Sequence, residues 1–373
     1  MKIGVVCYPT FGGSGVVATE LGHAMAKKGV EVHFFAYKQP VRLDTISKNI
    51  FFHEVTVPEY PLFKFQPYEL ALSSKIVDTV IKHNINLLHV HYAIPHAYAA
   101  FMAKKVLLDQ GINIPFVTTL HGTDITLVGS HPFYKSAVSF SINNSDLVTA
   151  VSDNLKKQTI DLFKVKKEIE VIPNFIDFSI HQSHNENCNR ENIAKKNEKI
   201  ISHVSNFRAV KRVLDVIKVF EKINKKLESK LILVGEGPEK EIAQRYCITV
   251  GIENNVRFLG ESNQVYEVLC YSDLFLLTSQ AESFGLAALE AMMMSVPVIS
   301  TNIGGLPEIN IEGVSGYLFD VGDIKGMAKK SIEILSDETT LQKLKKSSRE
   351  NAKRYDIEKV LELYINVYDR TLK

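Results

Sequence analysis

The chain predicts an α/β protein built as two doubly wound, parallel-sheet domains. Three observations predict it. Short apolar runs alternate with longer stretches of helical period, the rhythm of βαβ units. That rhythm stops at a polar stretch, His181 to Arg190, and then restarts. The 373 residues suit two domains at about 150 residues each.

Ile3–Cys7 reads as a buried strand. Val16–Lys28 reads as a helix, with Leu21, Ala24, Met25 and Lys28 at helical spacing. Glu31–Tyr37 is the next strand, Leu70–His83 a helix and Leu87–His91 a strand. Pro95–Gln110 follows as a helix, then the strands Pro115–Leu120 and Leu147–Val151. Ser152 is placed to cap the helix after the last of these. Beyond the polar stretch, strands are predicted at Ile200–Val204, Lys230–Val234, Val256–Phe258, Leu274–Thr278 and Val296–Ser300, with helices between them. Two helical segments, Thr339–Arg354 and Ile357–Leu372, close the chain. Two Rossmann-like domains facing each other across a cleft are the expected architecture.

Composition excludes several classes of function. A hydrophobic share of 45% with 23% charged residues is that of a soluble globular chain. A net charge of +2 argues against bulk nucleic-acid binding. No apolar run reaches the ~18 residues of a membrane span, and the first residues enter a strand pattern unlike a signal peptide. Cys7, Cys188, Cys247 and Cys270 are widely spaced and read as free thiols of a cytoplasmic protein. A homo-oligomer stays open.

Open α/β sheets bind ligands beyond the carboxyl ends of their strands. After the first strand comes Tyr8-Pro9-Thr10-Phe11-Gly12-Gly13-Ser14-Gly15, a glycine loop ahead of a helix. Gly13, Ser14 and Gly15 let a ligand approach backbone at a helix N-terminus. Gly13 to Ala18 also fits the G-x-G-x-x-A dinucleotide pattern. An acid at the end of the second strand is absent, and Lys38 there leaves NADP open. His89, His91 and His96 invite a metal, but no carboxylate or Cys completes a set at readable spacing. Tyr92 lies just past its strand. His121-Gly122-Thr123-Asp124 follows another strand and is placed to touch substrate.

Ser205-Asn206-Phe207-Arg208 leads to Lys211. An Arg fork beside a Lys point charge suits a pyrophosphate, and cations at a helix start oppose its dipole. Gly235-Glu236-Gly237-Pro238 and Gly304-Gly305-Leu306-Pro307-Glu308 offer close backbone approach after later strands. Glu282 and Glu290 stand eight residues apart around Phe284, Gly285, Leu286 and Ala287. On one helix they would be roughly 12 Å apart, beyond the usual glycosidase pair, so they read as two anchors for one long ligand. The same residues also read as an ordinary helix with an N-terminal acid. No Asp-x-Asp pair occurs in the chain, so the metal that such a pair holds on a diphosphate is not expected.

Together these motifs resemble the retaining GT-B glycosyltransferases of the glycogen synthase and sucrose synthase type, over nearly the whole chain. The resemblance implies an N-terminal acceptor domain (1–170), a C-terminal nucleotide-sugar domain (171–355) and a last helix (356–373) returning to the first domain. It implies that Arg208 and Lys211 hold the donor diphosphate and that Glu282 lies by the sugar. Phe284 to Ala287 would offer N–H groups to sugar and phosphate, Glu290 would bind the ribose, and His121 would lie near the 6-hydroxyl. Asn206, Gly235 and Glu236 join the donor site, as do Gly13, Ser14 and Gly15 of the glycine loop.

A narrower resemblance rests on Tyr8 to Gly15, His89 to Ala97, Thr118 to Asp124 and Ser205 to Arg208. It is to the transferases that begin bacillithiol biosynthesis, and implies UDP-N-acetylglucosamine as donor and L-malate as acceptor. Met292-Met293-Met294-Ser295 departs from the expected Met-Ala-Cys-Gly-like run. Ser14, Tyr92, Thr118 and Thr119 are the candidate acceptor donors. No cofactor or metal is expected, and no stable membrane association, although Pro61-Leu62-Phe63-Lys64-Phe65 leaves a lipid acceptor open.

Overall fold

The computed structural model describes residues 1–10, 13–179, 190–262 and 265–373. Phe11 and Gly12 of the glycine loop, and most of the polar stretch including Cys188, lie outside them. The chain divides into two compact units, Met1–Phe175 with Ile357–Lys373, and Ile176–Asp356.

In the first unit β1 (Lys2–Val6), β2 (Glu31–Ala36), β3 (Ile50–Glu54), β4 (Leu87–His91), β5 (Phe116–Leu120), β6 (Leu147–Ala150) and β7 (Ile169–Val171) form one sheet. Its spatial order is 3-2-1-4-5-6-7, and every pair is parallel. The helices are α1 (Ser14–Lys27), α2 (Tyr68–His83), α3 (Tyr98–Asp109), α4 (Pro132–Asn144) and α5 (Asp153–Leu162). Strands covered by helices on both faces are mostly apolar, and β4 and β5 are buried at every position, their His and Thr side chains included.

The second unit repeats the plan. Its strands are β8 (Lys199–Val204), β9 (Ser229–Val234), β10 (Val256–Gly260), β11 (Leu274–Leu277), β12 (Val298–Thr301) and β13 (Gly316–Phe319), in the order 10-9-8-11-12-13. Its helices are α6 (Val213–Asn224), α7 (Lys240–Val250), α8 (Val265–Cys270), α9 (Leu286–Met293), α10 (Leu306–Ile309), α11 (Ile324–Ser336) and α12 (Glu338–Ala352). Then α13 (Ile357–Thr371) rejoins the first unit. There it packs on α1 and β5, and the Tyr368 hydroxyl meets Nδ1 of His89 at 2.7 Å.

Each sheet reverses its strand order once, between β1 and β4 and between β8 and β11. The crevice beyond the strand ends at such a reversal is where doubly wound sheets bind ligands.

The structure departs from expectation in places. No continuous helix runs from Pro95. Ala93–Ala97 forms a single wide turn with non-helical Ile94, and the regular helix starts at Tyr98. Proline has no N–H to donate and bars the residue before it from helical geometry. The strands β3, β7 and β13 and the helix α4 were not foreseen. β13 has a single buried residue and β7 only three residues in all, too few for an apolar pattern to show. Cys7 and Cys247 are free and buried, but Cys270 is disulfide-bonded. This corrects the reading of four free thiols, because sequence spacing does not report which cysteines meet in space. No helix among the described residues is long and apolar enough to cross a membrane.

Candidate functional site

In the second unit the loops after β8 and β11 meet at the order reversal. After β8 the chain turns through buried Phe207 and exposed Arg208 into a short turn, Ala209–Lys211. The Lys211 ammonium lies 2.6 Å from Oε2 of Glu282, and the Ser279 hydroxyl donates to that same oxygen at 3.2 Å. The Thr278 hydroxyl donates to the carbonyls of Lys211 and Arg212, at 3.2 and 3.0 Å. Gln280 N–H donates to Val210 O at 2.7 Å. These bonds fix the Lys211 loop against the Glu282 loop. Arg212 pairs with Asp215, whereas the Arg208 guanidinium meets no acid among the described residues. Arg208 is exposed, three positions before Lys211.

The helix α9 begins beside this pair. Gly285 precedes it with φ 98°, its first turn holds no acid, and no side chain caps it. The Leu286 and Ala287 N–H groups have no acceptor among the described residues. Free N–H groups with a positive dipole end suit an anionic oxygen. Glu290 is one turn further on and largely buried, with the Tyr266 hydroxyl 3.5 Å from its carboxylate. The backbone around Glu282 is tight. A Cβ on Gly304 would lie 1.8 Å from the Glu282 carbonyl oxygen.

In the first unit the loops after β1, β4 and β5 converge. The hydroxyls of Ser14 and Tyr92 are 2.6 Å apart. Tyr8 stacks edge-on against Tyr92, with ring centroids 5.3 Å apart. His121, half-buried, faces His91 through an Nε2···Nδ1 contact of 2.8 Å. Burial holds the His121 imidazole down at about 3 and pushes His91 well below its usual value, so both are neutral at pH 7. Asp124 is turned inward and accepts from the N–H groups of Ala93, Gly122 and His121, at 2.8, 3.0 and 3.3 Å. Burial raises its carboxyl to about 6. Its role is to clamp the loop after β5 to the loop after β4.

Residues 11–179 match the Glycosyltransferase Family 4 model, and residues 185–354 match the model of glycosyl transferases group 1. Over its whole length the chain is 44% identical to N-acetyl-alpha-D-glucosaminyl L-malate synthase of Bacillus anthracis, covering 100% of this chain and 98% of the relative. The chain belongs to the group 1 glycosyltransferases.

The 2-deoxystreptamine N-acetyl-D-glucosaminyltransferase of Niallia circulans is 27% identical over 77% of both chains. Among solved structures, Anabaena HepE in complex with UDP and glucose superposes with TM-score 0.82 at 19% identity, covering 99% of each chain. At that identity the likeness speaks for the GT-B fold alone. The oxidoreductase reading of Gly13 to Ala18 falls with the family assignment.

In this glycosyltransferase the structure gathers Lys211, Glu282 and the start of α9 with Phe284, Gly285, Leu286 and Ala287 in one unit. It gathers Ser14, Tyr92 and His121 in the other. Several expected residues sit differently. Thr118 and Thr119 are fully buried. The Thr118 hydroxyl bonds Ser145 at 2.8 Å, and that of Thr119 bonds His89 and Thr149 at 2.7 Å. Neither hydroxyl is left for an acceptor, because both lie inside the sheet, on its opposite faces.

His89 is likewise core. Gly15 is structural, since a Cβ there would meet Tyr8 O at 2.7 Å. Glu236 is partly exposed and ion-paired to Lys240 one turn on, and Asn206 is exposed beside it. Thr278, Ser279 and Tyr266 were not foreseen. The first two directly follow β11, so the strand-end rule could have found them; nothing in the sequence points to Tyr266.

Proposed function

We propose that this glycosyltransferase moves N-acetylglucosamine from UDP-N-acetylglucosamine to the hydroxyl of L-malate, in the cytoplasm, with retention at the anomeric carbon. The observation that carries the donor and acceptor is the 44% identity, end to end, with the B. anthracis enzyme of that name. In this reading the second unit holds the donor. Arg208, Lys211 and the free N–H groups opening α9 carry the diphosphate, Glu282 lies by the sugar, and Glu290 takes the ribose hydroxyls. Asn206, Gly235 and Glu236 form the wall behind the nucleotide. On the first unit, the Ser14–Tyr92 pair and the Gly13 end of α1 receive malate, and neutral His121 faces the sugar.

The bond between the anomeric carbon and the diphosphate oxygen breaks with its electron pair leaving on UDP. The malate hydroxyl oxygen bonds to the same face of that carbon. Its proton passes to the departing phosphate oxygen. The charge that develops on UDP is met by Lys211, Arg208 and aligned peptide dipoles, which act most strongly where charge appears in the transition state. Side-chain cations take the place of a divalent ion on the diphosphate in this scheme, in keeping with the absence of an Asp-x-Asp pair.

UDP release from UDP-N-acetylglucosamine, followed with and without L-malate in EDTA, tests the proposal. Malate-dependent release with the chelator present is expected. Release that ignores malate, or that stops in EDTA, defeats it.

A second reading, transfer to a lipid-borne acceptor, is favoured by Leu62 and Phe65, which are 80% and 81% exposed beside Lys64. Co-sedimentation of the protein with anionic vesicles would support it.

A further inference from the structure

We propose that His33, His53 and His83 form a metal site, a three-imidazole cup for one divalent ion of the zinc class that is separate from sugar transfer. The three residues come from β2, from the sheet-edge strand β3 and from the last turn of α2. One ligand nitrogen from each lies within 4.8 Å of the other two, the one such trio among the described residues. Their rings crowd together. His33 and His53 stack at 5.1 Å, and His83 stands 4.8 Å from His33 and 5.4 Å from His53.

The group around the rings is that of a ligand set. Glu31 Oε1 lies 2.9 Å from His33 Nε2. The same oxygen pairs with the Lys2 ammonium at 2.9 Å, so Glu31 stands as a carboxylate and only accepts. His33 Nε2 therefore carries the proton, and Nδ1 accepts from His53 Nε2–H, 2.8 Å away; a bound ion takes the place of that proton, with His53 shifting to its Nδ1–H tautomer. A carboxylate that orients an imidazole through its far nitrogen is the usual outer partner of a metal-binding His. Neutral imidazole is the form that ligates.

Charges near the trio act in both directions. The Lys75 and Lys82 side chains lie near His53, and Lys2 pairs with Glu31 at 2.9 Å. These cations weaken an incoming dication, and the Glu31 anion offsets part of that. Tetrahedral zinc, at about 2.0–2.1 Å from each nitrogen, sets its ligand atoms roughly 3.3 Å apart. The His33–His53 pair would open by roughly half an ångström to reach that spacing. His83, half-buried at a helix end, would swing inward, and water would fill the fourth position. Imidazole nitrogen selects this metal class over magnesium or calcium. The ion would tie the edge strand to β2 and to the end of α2.

The test uses the full-length, untagged protein after chelator treatment and dialysis. Zn2+ alone is titrated by calorimetry, and Co2+ alone is followed by its visible absorption. One equivalent of each, with a higher Tm once zinc is bound, is expected. His83→Ala abolishes the cobalt spectrum while the circular dichroism stays native. Glu31→Gln, which removes only the outer partner, weakens Zn2+ by about 10–100-fold. His53→Gln repeats the His83→Ala result should that variant misfold. UDP release by Glu31→Gln stays at the parent rate. The proposal is overturned if the parent protein binds neither ion, or if both His variants bind them as the parent does.

Discussion

The Lys211 ammonium and the Glu282 carboxylate are 2.6 Å apart although 71 positions separate them in sequence. Lys211 follows β8 and Glu282 follows β11, the two strands between which the second sheet reverses its order. One ion pair thus spans the mouth of that crevice. Both groups are partly buried, with side-chain exposures of 20% and 16%, so the pair is better shielded from solvent than a surface bridge.

Lys211→Ala should lower kcat for UDP release by at least about 100-fold, roughly 3 kcal/mol of transition-state stabilisation. Circular dichroism should stay native, because Thr278 holds this loop through the backbone carbonyls of Lys211 and Arg212. Turnover within a few-fold of the parent would remove Lys211 from the diphosphate.

Glu290→Gln should weaken UDP binding by about 10–100-fold, the value of hydrogen bonds to a charged group. Glu290 lies on α9 beyond the diphosphate-facing turn. Calorimetry with UDP alone reads this loss, and unchanged affinity would place the ribose elsewhere.

Tyr92→Phe removes the hydroxyl partner of Ser14, 2.6 Å away. The KM for malate should rise about tenfold, the worth of one or two neutral hydrogen bonds, while UDP affinity stays constant. A variant that loses UDP affinity instead would assign Tyr92 to the donor.

Gly235→Ala should cost about 2–4 kcal/mol of stability. Gly235 has φ 128°, and a Cβ there would lie 1.7 Å from the Ser205 carbonyl oxygen. Relieving that clash moves the loop that carries Asn206 and Arg208, so UDP affinity should fall with the urea midpoint. A midpoint equal to the parent's would show that the strain is absent.

Acid should destabilise the first unit. His89, His96 and His121 are held at about 3, 4 and 3 by burial, against about 6.5 in the unfolded chain. The unfolded state therefore binds more protons below that value. Stability is full above about 6.5 and is lost as pH falls toward the folded values. Each such His forfeits about 2 kcal/mol between pH 6.5 and 5. Asp124 acts with the opposite sign. Its carboxyl is raised to about 6, so the stability contributed by its protonated form is lost as pH rises through 6. It returns about 1 kcal/mol on acidification to pH 5. The urea midpoint should drop clearly between pH 7 and 5, and a flat profile would contradict neutral burial of these imidazoles.

Much of the fold was legible along the chain. Runs such as Leu87–His91 and Leu274–Leu277 are apolar enough to declare a strand, and the Ser152 cap is present, accepting from Leu155 N–H at 3.0 Å. β3 was hidden because its pattern, Ile50-Phe51-Phe52-His53-Glu54, is buried only at its first residue. Candidate positions in loops beyond strand ends were readable from the linear pattern, as with His121, Arg208 and Lys211. Thr118 and Thr119 misled because both lie within β5, where side chains enter the sheet's packed faces.

The two doubly wound sheets, the family and the loops at which chemistry is to be sought were already written in the linear order of residues. Apolar period and glycine placement act over a few neighbours, so they survive in linear order. Which groups meet is settled in the folded chain: Lys211 with Glu282, Ser14 with Tyr92, His33 with His53 and His83, and Tyr368 with His89. In a parallel sheet, neighbouring strands are joined by long crossovers. Partners therefore come from distant parts of the chain, and their meeting depends on the closed fold as a whole.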